Sequence, residues 1–359
     1  MIKTLEKHLI KLYLKKILNI SLIFLCLILV LNVFEEMSFF KGLDINFFYP
    51  FLMTTLNAPS TIFEIFPFIF LISTQFFFLD LINKNELEVL KINGINNFKV
   101  IKLLFFSTLA LGLMLVFFYY NLSSKLKFLY LDLKNNHSLD DKYLAVVNEN
   151  GLWIKDEIDN KIYIINAAMI NNQYLYEASI AEFNIEFELM HILKTEKIDI
   201  SNKNWKIFSP VIFKNNKSVL SKSTIFLNTH FDEKKINGLF RNLSSLNILE
   251  LIKLKADYKS IGYSTNEVES HLYRLFTFPL YLGIMTVVSS IIMFNIKRNK
   301  PVIFHVILGI FLSVIIYYFY YLFTLMGQNE KIPLISSVLL PLLILTIFIF
   351  IGLVRVNEK

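Results

Sequence analysis

One cysteine, Cys26, occurs in the 359 residues, and it lies in an apolar run, so a disulfide framework and a Cys-based metal site are both excluded. No G-x-x-x-x-G-K-[ST] is present. The chain therefore shows no phosphate cradle and is assigned no ATPase site of its own. The histidines, at positions 8, 137, 191, 230, 271 and 305, form neither H-E-x-x-H nor another ligand spacing, so they read as structural, with no metal. "GLW" at Gly151 to Trp153 lacks the serine of a nucleophile elbow, and no Ser/His/Asp order stands out. No catalytic residue is assigned, and the chain reads as non-enzymatic.

Charged residues are also scarce, at 18%, whereas 55% of the chain is apolar and the mean hydropathy is +0.53. These values lie outside the range of soluble domains and define a membrane protein. Thirty-six Lys and Arg against 29 Asp and Glu leave +7. In a soluble protein that excess would suggest nucleic acid; here it is read through its distribution between loops, and no nucleic-acid partner is assigned.

A bilayer core of about 30 Å needs about 20 apolar residues in a helix. The stretches that meet this length are approximately Ile17 to Phe34, Ile62 to Ile82, Val100 to Tyr120, Leu275 to Phe294, Val302 to Leu325 and Ile332 to Val354. The first follows Lys15 and Lys16 as a signal peptide would, but it lacks an A-x-A-like cleavage site and reads as a retained helix. Basic residues gather before span 1 (Lys3, Lys7, Lys11, Lys15, Lys16), around the turn from span 2 to span 3 (Lys84, Lys91, Lys99, Lys102) and between spans 4 and 5 (Lys297, Arg298, Lys300). The positive-inside rule puts these segments and both termini in the cytoplasm. On the other side, Glu35 to Thr61 carries Glu35, Glu36 and Asp44 against Lys41 alone, and the loop between spans 5 and 6 carries Glu330 against Lys331.

The fold class is thus an α-helical membrane protein of six transmembrane helices, with an extracytoplasmic all-β domain inserted between helices 3 and 4. Its parts are 1–120, 121–270 and 271–359. The middle part has 19 Lys/Arg against 19 Asp/Glu and short alternating runs such as "KIYIINAAMI" and "NWKIFSPVIF", the pattern of a β-sandwich or roll. From Ser244 to Tyr258 the period turns helical, with Leu246, Leu249, Ile252 and Leu254 on one stripe, which predicts a short helix returning to span 4. The N-terminal "MIKTLEKHLIKLYLKK" sets Ile2, Leu5, Leu9 and Leu12 on one face among lysines, the pattern of an amphipathic helix on the anionic inner leaflet. Glu64 and Asp80 lie near opposite ends of span 2 and read as solvated at the interfaces; "YYFYY", Tyr317 to Tyr321, reads as an interfacial belt. An acid at mid-span and an internal repeat, the marks of a secondary transporter, are both missing.

Between spans 2 and 3 lies "NKNELEVLKINGINN", Asn83 to Asn97. Asn85 with Glu88 three residues on has the shape of a capping pair, Leu87 and Leu90 share a face, Glu88 and Lys91 are one turn apart, and Gly94 tolerates the positive φ of a helix stop. Asn96 or Asn97 can cap span 3. The spacing predicts a short cytoplasmic helix at about 84–94, which reads equally as a simple connection on the lipid surface or as a docking element.

These residues resemble the LptF/LptG permeases of the lipopolysaccharide-exporting ABC transporter. The resemblance covers nearly the whole chain. "PFIFLISTQFFFLDLINKNELEVLKINGIN" is similar to that family's Pro-led second helix followed by E-L-x-x-x-[RK]-x-x-G-[IFV], matched at Glu86, Leu87, Lys91 and Gly94. "NGLWIKDEIDNKIYI", Asn150 to Ile164, is more like LptG than LptF, and "ESHLYRLFTFPLYLGIMTV", with Pro279, and "GQNEKIPLISSVLLPLLI", with Pro333 and Pro341, resemble the family's last three helices. The resemblance implies a β-jellyroll-like periplasmic domain in a multi-pass protein of the bacterial inner membrane. It implies an LptF-like partner permease, an LptB-like ATPase dimer that binds ATP and Mg, and LptC-like and LptA-like jellyroll proteins in the periplasm. Lipopolysaccharide is then the cargo and membrane lipids the surroundings. Glu86, Leu87, Leu90, Lys91 and Gly94 become the ATPase-coupling helix. Members often carry a basic residue in the outer part of helix 1 for the lipid's phosphates; "LNVFEEMSFFKG" offers only Lys41. The readings kept beside LptG-like export are an LptF-like subunit of the same complex and a membrane anchor whose β-domain binds a periplasmic protein.

Overall fold

The computed structural model describes residues 4–41, 46, 48–135, 152–158, 160–171, 173–214, 217–220, 223–233, 236, 242–260, 264–294 and 302–357. Its helices follow the apolar runs. They are α1 (Thr4–Phe39), α2 (Phe48–Asn83), α3 (Glu86–Ile92), α4 (Asn97–Met114), a π-helical turn (Leu115–Tyr120) and α5 (Asn121–Asn135), then, beyond the strands, α6 (Ile248–Ser260), α7 (Asn266–Phe294), α8 (Val302–Gln328) and α9 (Leu334–Asn357). Among the described residues six helical stretches are long and apolar enough to cross a membrane, with α4, the π-turn and α5 counting as one. The chain divides into two compact units, Met1–Lys127 with Asn266–Lys359, and Phe128–Thr265.

In the helical unit α2 and α7 are the central elements, with 67% and 72% of their most apolar stretches buried against 11% in α1. Close packing needs small groups where axes approach. A Cβ placed on Gly112 of α4 would come within 2.7 Å of the Pro279 Cα of α7, so only glycine fits there. Phe63 of α2 stacks on Phe278 of α7 with ring centroids 4.5 Å apart, and Tyr281 of α7 stacks on Tyr320 of α8 at 4.9 Å.

Two helices are longer than their hydropathy windows. The loop expected over Glu35 to Thr61 is largely helix, since α1 continues through Glu35 and Glu36 to Phe39 and α2 begins at Phe48. Pro50 sits in the first turn of α2, where a missing N–H costs little, and membrane helices accommodate interior prolines such as Pro59 and Pro67. The N-terminal amphipathic segment is not a separate element. It is the start of α1, and Leu9 and Tyr13, 2% and 0% exposed, pack into the bundle. Ile2, Lys3, Asp44, His137, Lys297, Arg298 and Lys300 lie outside the described residues.

The second unit holds β1 (Leu152–Ile158), β2 (Lys161–Asn171), β3 (Tyr174–Phe183), β4 (Leu189–Asp199), β5 (Asn204–Phe208), β6 (Val211–Lys214), β7 (Lys217–Leu220) and β8 (Ile225–Asn228). They form one curled antiparallel sheet, a half-barrel, in the order β1-β2-β3-β4-β5-β8, with β6 on β4 and β7 on β6. Trp205 of β5 is fully buried and donates its indole N–H to the Phe231 carbonyl at 2.8 Å.

A crease crosses this sheet. Ala168, Glu177 and Glu196 stand in one row, yet all three drop out of the pairing registers on either side. Glu177 has φ +49, in the left-handed region that a side chain disfavours, and the buried face switches parity there, with Leu175 and Ala178 both inward. On its far edge β4 pairs with β5 through Lys197–Asp199 and with β6 through Ile192–Lys194, so the row also marks where the sheet forks. Ser209, at φ +44, joins the two branches. Thr195 stitches the fork: its hydroxyl donates to the Phe208 carbonyl at 2.5 Å and accepts the Lys197 N–H at 3.3 Å. Thr195→Val removes both hydrogen bonds and is expected to lower the stability of this unit by about 1–2 kcal/mol, read as faster amide exchange in β4 and β5 of the full-length protein.

Beyond the sheet, α6 opens on a reciprocal capping box. The Glu250 N–H donates to Asn247 Oδ1 at 3.0 Å, and the Asn247 N–H donates to Glu250 Oε2 at 2.9 Å. The stripe expected here has a different phase. Leu246, Leu251 and Leu254 are buried, whereas Leu249 and Ile252 are 78% and 53% exposed. Apolar residues occur on both faces, so spacing alone did not choose the inward one.

Candidate functional site

The connection between α2 and α4 is built turn by turn from its own residues. Asn85 does not cap α3 with its side chain; at φ 57 it takes the left-handed conformation that ends α2, whereas an N-cap needs an extended backbone. The Asn–Glu pairing expected at Asn85 and Glu88 is thus found instead at Asn247 and Glu250. At the other end Gly94, φ +75, completes a Schellman motif: its N–H donates to Lys91 O at 3.0 Å, and the Ile95 N–H donates to Leu90 O at 3.0 Å. Asn96, rather than Asn97, then caps α4, its side chain accepting the Lys99 N–H at 2.9 Å.

Packing sorts the site residues into two sets. Leu90 is 5% exposed and holds α3 against the bundle, with Leu87 half-buried beside it. Glu86 faces His8 of α1 at 3.8 Å, and Lys91 and Gly94 are exposed. The outward face also carries two residues that the sequence had not singled out, Val89 at 53% and Ile92 at 85% exposure, with Glu88 and Lys91 around them. An apolar pair ringed by charge and displayed away from the bundle suits a protein contact. Lys41 lies in the exposed turn after α1, its N–H bonded to Ser38 O at 3.4 Å.

Behind α3, α1 is tied to the bundle at successive depths. Lys16 pairs with Asp80 of α2 at 2.6 Å, so Asp80 is neutralised by a protein partner and not only by water; Glu64 remains exposed on α2. Tyr13 carries the deepest tie. Its hydroxyl lies 3.3, 2.9 and 3.1 Å from the hydroxyls of Thr74 (α2), Thr108 (α4) and Thr286 (α7), and Thr108 is 3.2 Å from Thr286. Thr74 and Thr286 also donate to their own helices, at Phe70 O and Leu282 O, which leaves their oxygens to accept from Tyr13 and Thr108. Four hydroxyl protons thus all find acceptors, and four helices meet at one point. Spacing along the chain gives no sign of this knot; isolated threonines in apolar runs were the only hint. Farther along α2, buried Gln75 donates to the His305 carbonyl of α8 at 3.0 Å.

Among the described residues, six helices long and apolar enough to cross a membrane, with a half-barrel sheet inserted in the chain between the third and fourth, define a multi-pass membrane protein carrying one large β unit. The family model of the lipopolysaccharide export system permease LptF/LptG matches residues 7–355, and the chain belongs to that family. It is accordingly a permease component for lipopolysaccharide export, working in a complex with other Lpt components. No curated protein matches its sequence.

Proposed function

We propose that the chain is the LptG-like permease subunit of an ATP-driven exporter that extracts lipopolysaccharide from the inner membrane and delivers it to a periplasmic bridge. In this reading both termini and α3 are cytoplasmic and the half-barrel is periplasmic, where LptC-like and LptA-like jellyroll proteins continue the path. An LptF-like permease is the second transmembrane subunit. ATP and Mg belong to an LptB-like ATPase dimer that receives α3, and Lys41 is the candidate contact for the cargo's headgroup.

The observation that carries this reading is α3 itself: a seven-residue helix held from behind by Leu90 and presenting Val89 and Ile92 outward. A plain connection would gain nothing from exposing an apolar pair next to buried anchoring. The lysine distribution supports the orientation. Glu86, beside His8, sits where α3 meets α1, and motion of a docked motor would reach the spans there first. Glu86→Lys is expected to leave the ATPase bound and hydrolysing while export in reconstituted vesicles falls several-fold. Normal export by a complex carrying that substitution would remove Glu86 from the coupling path.

A further inference from the structure

A groove of about 320 Å³ lies between the first turns of α1 and the first turns of α4. Its floor is apolar, with Leu9, Leu103 and Phe106, and its rim carries Glu6, Lys99 and Lys102. Among the described residues neither lysine side chain makes a hydrogen bond or an ion pair, although Lys16 and Asp80, on the neighbouring turns of α1 and α2, are paired. Two unpartnered ammonium groups one turn apart over an apolar floor have no use for each other. An anion lying between them would be attracted by both.

Below the rim the same face of α4, continued by the π-helical turn, stays open and apolar. Phe106, Leu113 and Phe117 are 57%, 51% and 60% exposed, and they follow Lys99 and Lys102 along the helix at the three- and four-residue steps of one stripe, with exposed Ala110 between them. A polar head at a helix start with an unbroken apolar track beneath it has the division of a membrane lipid. The groove is large enough for a headgroup and glycerol, with the acyl chains lying along the track.

We infer that this groove binds an anionic phospholipid of the phosphatidylglycerol type, its phosphodiester between Lys99 and Lys102 and its chains on the Phe106–Phe117 face. Basic pockets at the cytoplasmic ends of membrane helices recognise anionic headgroups in this way. The two lysine ammonium groups favour an anionic headgroup such as phosphatidylglycerol over a zwitterionic one. Because Leu9 and Glu6 belong to the segment of α1 that also carries His8, a bound lipid would brace the helix end facing α3. The inference rests on the cytoplasmic placement of this end but not on what docks at α3.

The test is native mass spectrometry of the full complex released from phosphatidylcholine nanodiscs doped with phosphatidylglycerol. The wild-type protein is expected to retain phosphatidylglycerol in preference to phosphatidylcholine. Lys99→Gln with Lys102→Gln should cut that retention about thirtyfold, whereas Lys99→Arg with Lys102→Arg should preserve it. Equal retention of the neutral and anionic lipids, or undiminished phosphatidylglycerol on the double glutamine variant, would overturn the assignment. Co-release of the ATPase is scored in the same spectra, so loss of lipid with the ATPase retained is distinguished from failure of the docking reading.

Discussion

Replacing Val89 and Ile92 together with aspartate is expected to strip the ATPase from the purified complex, weakening its binding by about a hundredfold or more. Buried apolar anchors at interfaces typically contribute about 2 kcal/mol or more each, and two such losses exceed the roughly 2.8 kcal/mol that corresponds to a hundredfold. Their exposures of 53% and 85% mean that neither substitution opens a cavity in the chain itself. Leu90, 5% exposed, provides the contrast. Leu90→Asp would bury a charge against the bundle and displace α3 altogether, so it cannot separate docking from folding. Quantitative co-purification, with size-exclusion profiles to show the permease intact, checks the result. Unchanged ATPase stoichiometry on the double variant would mean that the outward face of α3 is not the contact.

Tyr13→Ala is expected to destabilise the helical unit by about 3–5 kcal/mol, the usual cost of emptying a buried aromatic site. The side chain is fully buried and packs edge-on against Phe77 at 5.6 Å, so its loss leaves a cavity as well as three threonine hydroxyls without their common partner. Tyr13→Phe separates the two contributions. It keeps the ring and removes the hydroxyl, which between membrane helices should cost about 0.6–1.7 kcal/mol. A double-mutant cycle with Thr108→Val should return coupling of the same size, because Tyr13 and Thr108 are 2.9 Å apart. Reversible unfolding in mixed detergent micelles supplies the measurement; additive effects of Tyr13→Phe and Thr108→Val would show that the knot is proximity without coupling.

What the sequence disclosed was what depends on neighbours along the chain. The six spans are visible because hydropathy integrates over about 20 residues. The end of α3 at Gly94 is visible because one residue with positive φ decides it. Asn85 and Asn247 mark the boundary of such reasoning: both precede a glutamate by three residues, but only Asn247 exchanges capping hydrogen bonds with it, since Asn85 at φ 57 is already committed to ending α2. The extension of α2 back to Phe48 was hidden by Pro50, Pro59 and the polar Thr54, Thr55, Asn57, Ser60 and Thr61, which lower local hydropathy.

Tertiary choices were not legible. Leu87, Val89, Leu90 and Ile92 are equally apolar as letters, and only the packing of the spans turned Leu90 inward and left Val89 and Ile92 outside. Tyr13 meets threonines 61, 95 and 273 residues away, separations that no periodicity encodes. The crease at Glu177 arises because three strands lose their pairing in one row while the register on either side is kept, which a single strand's alternation shows only as a slip from Leu175 to Ala178.

The claim that α3 is the motor's docking element is tested most directly by cross-linking at position 92. With Cys26 replaced by serine, Ile92→Cys provides a unique thiol for a short photo-activated cross-linker. The account predicts an adduct containing the ATPase from position 92 and none from a second single-thiol variant, Lys331→Cys, on the opposite side of the membrane. Absence of the ATPase adduct at position 92 in a complex that still hydrolyses ATP and exports lipopolysaccharide would contradict it.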